Sequence, residues 1–356
     1  MARSRSGFAA FGAALARPLD SVAQRGATEL VAAGVLLASV LWGVLPASAE
    51  ATFPGKNGLF AFGMVEEYAP LEDDDVTEDA YIGVVTRDGR KRRKLVDGGS
   101  PAFGPGGTTL AASGGRRRGI VLRRLDGTFV RRLTHGYDTR PTWAPSGRRL
   151  AFTRGSGSNF YELRFGRSQK IYTVGRDGGQ PALLVSGGED PAWSSRGEIA
   201  FVAGHYSEAS DACETVDLSS APPPPTVLAI NARGGSARTV ACDGFSPDWS
   251  PSGDRLVFVR FGGPFDPLRN KLFTVDRDGT GLRRIYRGRS NLLSPTWSPD
   301  GRTIAFLEEN KVRVVPANGG SAQTMFRLPV RHLDCDFCEW WLVRPEYLAW
   351  QPRRGG

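Results

Sequence analysis

The sequence predicts an all-β fold: a six-bladed β-propeller of four-stranded antiparallel blades, closed by N-terminal strands pairing with the C-terminal strand and preceded by a signal peptide. Three observations predict it. One phrase recurs five times at propeller-like intervals, a second hairpin recurs between the copies, and the two chain ends carry complementary halves of a further repeat.

The first 49 residues stand apart. Arg3, Arg5, Arg17 and Arg25 precede an uncharged stretch from Leu30 to Ala49 that ends in Ala47-Ser48-Ala49. A basic head, an apolar run and a small-residue ending are the marks of a cleaved secretory signal. An uncleaved membrane anchor is the alternative, because the run approaches the ~20 residues that a spanning helix needs. We therefore divide the chain into 1–49, signal peptide or N-terminal anchor, and 50–356, the propeller. Removing residues 1–49 lowers the formal net charge from +9 to +7. Acidic and basic residues are interspersed through most of the remainder, which is a charged soluble surface and not a nucleic-acid reader's basic face.

The recurring phrase reads SPAFGPGGTTLAA at 100–112, RPTWAPSGRRLAF at 140–152, DPAWSSRGEIAF at 190–201, SPDWSPSGDRLVF at 246–258 and SPTWSPDGRTIAF at 294–306. Its aromatics, Phe103, Trp143, Trp193, Trp249 and Trp297, are 40, 50, 56 and 48 residues apart. In each copy an apolar strand ends at the aromatic, a four-residue turn follows, and an alternating strand begins. In Ser298-Pro299-Asp300-Gly301 the Ser bonds backbone, the Pro presets φ and the Gly takes the last position, which is type I turn chemistry. Between the copies lie YTVGRDGGQPALLV (172–185), FTVDRDGTGLRRIY (273–286), VLRRLDGTFVRRL (121–133) and VRVVPANGGSAQTM (312–325). Asp-Gly or Asn-Gly between alternating apolar runs is a strong hairpin signal. Each repeat thus supplies strands A to D, and a sheet with two apolar faces must stack on its neighbours, with the aromatic filling the wedge. NGLFAFG (57–63) is a strand B without its A, and YLAWQPRR (347–354), with Trp350, is a strand A without its B. Joined, they complete a sixth blade and leave no open ring edge.

The phrase TWSPDGRTIAF, with VDRDGTGLRRI behind it, closely resembles the WD40-like repeats of the TolB-type propeller family over residues 54–353. The resemblance implies a periplasmic, non-enzymatic propeller that binds partner proteins in the cell envelope. Similar repeats also accompany prolyl oligopeptidases and form oligogalacturonate lyases. The first require G-x-S-x-G, which does not occur here. The second hold a metal on inward-facing His and similar ligands, and this chain has only His135, His205 and His332.

In this strand order the D–A and B–C connections emerge on one end of the ring. The long inserts 64–80, 155–168, 204–225, 260–269 and 327–346 all fall there, which makes that end the expected partner face. Around its mouth lie the residues three before each aromatic, Ser100, Arg140, Asp190, Ser246 and Ser294, with His135 and Asp138 just ahead. His135, Asp138, Arg140 and Asp190 form a set able to bind an anionic or polar group. The plainer reading is that Asp138 and Arg140 pin a loop. Trp340 and Trp341 are placed in the long 327–346 insert, where one of them can anchor a partner, against the alternative that both are buried. The acidic insert 66–80 lacks the spacing of a calcium loop, and APPPP (221–225) reads as a stiff spacer.

Four cysteines suit an exported protein. Cys213 and Cys242 fall at the crowded end of one blade and are the expected bridge, with Cys335 and Cys338 as a local second pair. No catalytic residue, metal or cofactor is assigned. The expected function is an exported protein- or ligand-binding module of the cell envelope, secreted or periplasmic, with a protein or peptide partner, no nucleic acid, and membrane contact only if the N-terminal segment stays uncleaved. The alternative is a propeller enzyme, a lyase or lactonase-like hydrolase, with its site in the central mouth.

Overall fold

The computed structural model describes residues 53–70, 77–114, 119–155, 169–204, 225–260, 270–332 and 338–353. The segment read as a signal peptide lies outside them. Among the described residues no helix is long and apolar enough to cross a membrane.

Blade one contains β1 (Lys56–Pro70), β2 (Thr77–Val85) and β3 (Arg92–Asp97). Blade two follows with β4 (Gly99–Phe103), β5 (Thr109–Ser113), β6 (Ile120–Arg124) and β7 (Phe129–Arg132). Blade three has β8 (Asp138–Trp143), β9 (Arg149–Arg154), β10 (Lys170–Gly175) and β11 (Gly178–Ser186). Blade four has β12 (Glu189–Trp193), β13 (Glu198–Ala203), β14 (Thr226–Asn231) and β15 (Arg238–Ala241). Blade five has β16 (Gly244–Trp249), β17 (Arg255–Arg260), β18 (Lys271–Asp276) and β19 (Arg283–Arg287). Blade six has β20 (Leu292–Trp297), β21 (Thr303–Glu308), β22 (Lys311–Pro316) and β23 (Gln323–Arg327), and the chain ends in β24 (Arg331–His332) and β25 (Cys338–Arg353).

Strand A ends at the expected aromatic in all five complete copies. The last strand returns to the first blade, whose sheet order is β24-β25-β1-β2-β3. Phe60 pairs with Trp350 in the β1–β25 ladder, and their rings lie 4.6 Å apart. The inner strands β25, β4, β8, β12, β16 and β20 contact one another in that cyclic order, so the wheel closes.

The turn after each aromatic works as its composition dictates. Ser298 is buried; its hydroxyl donates to Asp300 Oδ1 at 2.6 Å and accepts the Thr303 N–H at 3.0 Å. Gly301 closes the turn at φ 69°, in the left-handed region that a side chain disfavours.

The core is divided among the six blade junctions. Between blades two and three, for example, Ile120 and Leu122 meet Trp143, Leu150 and Phe152; between blades six and one, Leu307 and Phe326 meet Phe60, Phe62 and Trp350. The junction aromatics range from 0% exposed at Trp249 to 6% at Phe103, Trp193 and Trp350, so each contributes close to the full value of a buried ring, about 2–3 kcal/mol.

The structure departs from the sequence reading at blade one. Segments 64–80 and 327–346, expected as loops, are largely strand: β1 and β2 stay paired out to Tyr68↔Thr77, and β25 runs beside them out to Pro70↔Cys338. The physical reason is that three β-prone segments prolong an existing ladder, so each further residue gains backbone bonds at little added entropic cost. Trp340 and Trp341 therefore sit on β25 opposite Ala69 and Tyr68, and not in a loop. Most of the inserts 155–168, 204–225 and 260–269 lies outside the described residues.

Candidate functional site

The inner strands surround a central cavity of about 240 Å³. Its polar lining arises from one repeated backbone device. In β4, β8, β12, β16 and β20 the ladder skips a residue just before the aromatic, leaving an extra residue on the inner strand. Such a bulge re-aims a side chain. The re-aimed residues are Ser100, Arg140, Asp190, Ser246 and Ser294, with φ of 46°, 52°, 56°, 50° and 45°, and each precedes a proline. A non-glycine residue held left-handed costs about 1–2 kcal/mol, so five such residues around one channel are strain concentrated at the axis, where functional geometry tends to store it. All five line the cavity.

Arg140 is the central cation. Its Nη1 lies 3.1 Å from Glu189 Oε2 and 3.6 Å from Asp190 Oδ2, with all three side chains about a quarter exposed. Burial disfavours the charge, but Asp190, Glu189 and the hydroxyl of Tyr347 outweigh it and hold the guanidinium above its ordinary pKa. Tyr347 belongs to blade one and Arg140 to blade three, so this contact reaches across the mouth.

Asp248, on the adjoining wall, is the carboxyl that the sequence analysis did not single out. Burial raises its pKa to about 7, helped by the nearby Asp190 charge and opposed by hydrogen bonds from the Trp297 N–H, the Thr296 hydroxyl and the Trp249 backbone. The signal available in the sequence was positional: the residue just before each aromatic is Ala102, Thr142, Ala192, Asp248, Thr296 and Ala349, and this one alone is ionisable. Glu346 also lines the channel, and its backbone carbonyl accepts the Ser294 hydroxyl at 3.0 Å.

The structure thus brings Arg140 and Asp190 together and separates the rest of the expected set. Asp138 is 2% exposed and grips Arg154 through two bonds of 2.6 and 2.8 Å. Arg154 in turn stacks over Tyr172, 4.8 Å from the ring centre. His135 is exposed and does not line the cavity. The side chains of Trp340, Trp341 and Cys338, and the whole of Cys213 and Cys335, lie outside the described residues. Cys242 is 8% exposed and disulfide-bonded. Among the described residues no group of three or more His, Cys, Asp or Glu is arranged to hold a metal.

Comparison with solved structures bears on the fold. TolB from Acinetobacter baumannii superimposes with a TM-score of 0.51 at 16% identity, covering 82% of this chain and 67% of that one. The chain has the fold of a TolB-type six-bladed β-propeller. The chain is also similar in structure to part of Kuenenia stuttgartiensis hydrazine synthase, with a TM-score of 0.53 at 14% identity over 86% of this chain and 50% of that one. In sequence, the Tol-Pal system protein TolB of Xylella fastidiosa (strain M12) is 37% identical over 57 residues, 16% of this chain. That stretch spans only 13% of the relative's length. No protein-family model matches the chain.

Proposed function

We propose that this TolB-type propeller is an exported, non-enzymatic module that holds a protein or peptide partner at the channel mouth, in the periplasm or at the cell envelope. The observation that carries the reading is Arg140: a cation set on a left-handed backbone, flanked by Asp190 and Glu189 and bridged to Tyr347, fits hydrogen bonding and charge matching to a polar partner. The short match to a protein of the Tol-Pal system supports an envelope role. On the same reading residues 1–49 are removed, so the exported protein begins at Glu50, and Cys213 bridges Cys242. N-terminal sequencing and non-reducing peptide mapping test those two points.

The test of partner binding is a photo-crosslinking residue at Ser294 in the channel, compared with one at Leu183, which is 52% exposed on an outer strand. The expected result is a discrete adduct from position 294 alone, lost in folded Arg140→Ala or Asp190→Asn protein. The same adducts from both positions, or adducts indifferent to both substitutions, would overturn the reading.

A second reading, an enzyme working in the channel, draws support from Asp248, whose pKa of about 7 suits proton transfer near neutrality. Turnover of lactones or uronate oligosaccharides abolished by Asp248→Asn would establish it in place of the first.

A further inference from the structure

The outer edge of blade one carries six basic residues within eight positions: Arg87 and the run Arg90–Lys94. All six are exposed. They occupy the β2–β3 hairpin and the edge strand β3, far around the blade from the channel strands. The strip continues onto both neighbours. Arg92 Nη2 donates to the Arg327 carbonyl of blade six at 2.6 Å, and Arg93 donates to the Leu125 carbonyl of blade two.

Beside it, at the start of β7 in blade two, Phe129 and Val130 are 53% and 47% exposed. The Arg123 guanidinium lies 5.8 Å from the Phe129 ring centre. Charged residues on an edge strand commonly serve to block sheet-to-sheet pairing. That purpose does not account for the whole strip: β19 (RRIYR) carries as many cations on its edge as β3 and β11 (GGQPALLVS) carries none, but Arg87, Arg90 and Lys91 lie in the β2–β3 turn and not on an edge strand.

We propose that the rim of blades one and two lies against a bilayer containing anionic phospholipid, with the basic strip on the headgroup phosphates and Phe129 and Val130 in the headgroup layer. The strip supplies the charge complement that such a surface requires. The exposed apolar pair distinguishes a bilayer from an acidic peptide, glycan or nucleic acid, none of which gives it an apolar layer to enter. This contact goes beyond the partner-binding reading: it uses a different surface and does not depend on an N-terminal anchor.

The test is co-sedimentation of the full chain with vesicles of phosphatidylglycerol and phosphatidylcholine against vesicles of phosphatidylcholine alone. The read-out is the preference between the two, because insertion of the apolar 30–49 segment would add similarly to both. The expected result is a preference of roughly tenfold or more at low salt that shrinks at high salt. Arg87→Gln, Arg90→Gln and Lys91→Gln together should remove most of it, and Phe129→Ser with Val130→Ser should weaken binding to the anionic vesicles without changing its salt dependence. Unchanged thermal unfolding of both variants shows that they fold. An undiminished preference in the triple variant would overturn the proposal. So would equal binding to polyglutamate with no effect of the Phe129 and Val130 changes, which would assign the strip to an acidic polymer. Neither outcome bears on crosslinking from Ser294.

Discussion

Asp248 of blade five accepts the backbone N–H of Trp297 in blade six at 2.8 Å. The same position in blade three does the same work, since Thr142 accepts the N–H of Trp193 at 3.2 Å. Where that position is Ala the junction is tied differently: the next tryptophan's indole donates to the alanine carbonyl, as Trp143 Nε1 does to Ala102 and Trp249 Nε1 to Ala192, each at 3.2 Å. The indole nitrogens of Trp193, Trp297 and Trp350, which follow Thr142, Asp248 and Thr296, have no acceptor among the described residues. At Thr142 and Asp248 a polar side chain before one aromatic thus trades an indole bond for a backbone bond at the next.

The Asp248 carboxyl makes stability fall with rising pH. Its folded pKa of about 7 lies above the ordinary ~3.9, so between these values the folded state holds the proton that the unfolded state has lost. The group's contribution is greatest below pH ~4, is lost as pH rises through about 7, and is flat above that. Three pKa units set a ceiling of about 4 kcal/mol, lowered because the carboxyl is only partly buried. Asp248→Asn, which keeps an acceptor for Trp297, should flatten this slope and be the more stable protein at pH 8. Urea midpoints at pH 5 and pH 8 for both proteins measure it.

Trp143→Phe should cost more than Trp297→Phe. Both indoles are almost fully buried, at 2% and 3% exposed, and each lies about 6 Å from a guanidinium, Arg176 and Arg255 respectively. They differ in that only Trp143 has an indole acceptor. A lost hydrogen bond on one side and a relieved unsatisfied N–H on the other predict a difference of about 1–2 kcal/mol. Denaturant midpoints of the two variants compare them directly, and equal losses would contradict the two-mode junction.

Ser246→Gly should stabilise the protein by up to about 1 kcal/mol, because glycine relieves the left-handed strain at φ 50° and gives back part of the gain as backbone entropy. Ser246→Val should destabilise it. If the strain holds the mouth in shape for a partner, the glycine variant gains in melting temperature while its crosslinking yield falls.

Trp350→Ala should cost about 3–5 kcal/mol, the range for emptying a large aromatic site. It also removes the ring packed at a 34° tilt against Phe60 where the last strand meets the first. The variant should therefore aggregate during refolding more than Trp193→Ala, a difference that light scattering reads.

The repeat was legible because every copy obeys the same local chemistry: an aromatic marks the strand end, and the four-residue turn after it closes on a glycine, with a proline ahead of that glycine in four of the five copies. The bulges were not legible. The proline after each of Ser246 and Arg140 signals an interrupted ladder, but the extra residue itself exists only relative to the partner strand. The same holds for Asp138, grouped in sequence with Arg140 but held in the structure by Arg154, which lies on the neighbouring strand β9.

The sequence by itself determined the number of blades, the aromatic that fills each junction and the closure of the first blade by the last strand, because periodic apolar patterns and turn residues act over a few neighbouring positions. Tertiary structure alone decided which polar groups share the channel, that Arg140 reaches Tyr347 from two blades away, that Asp248 is desolvated, and that two would-be loop segments zip into one ladder. Those outcomes depend on distances between residues that lie far apart along the chain, and charge, burial and ladder pairing act through space.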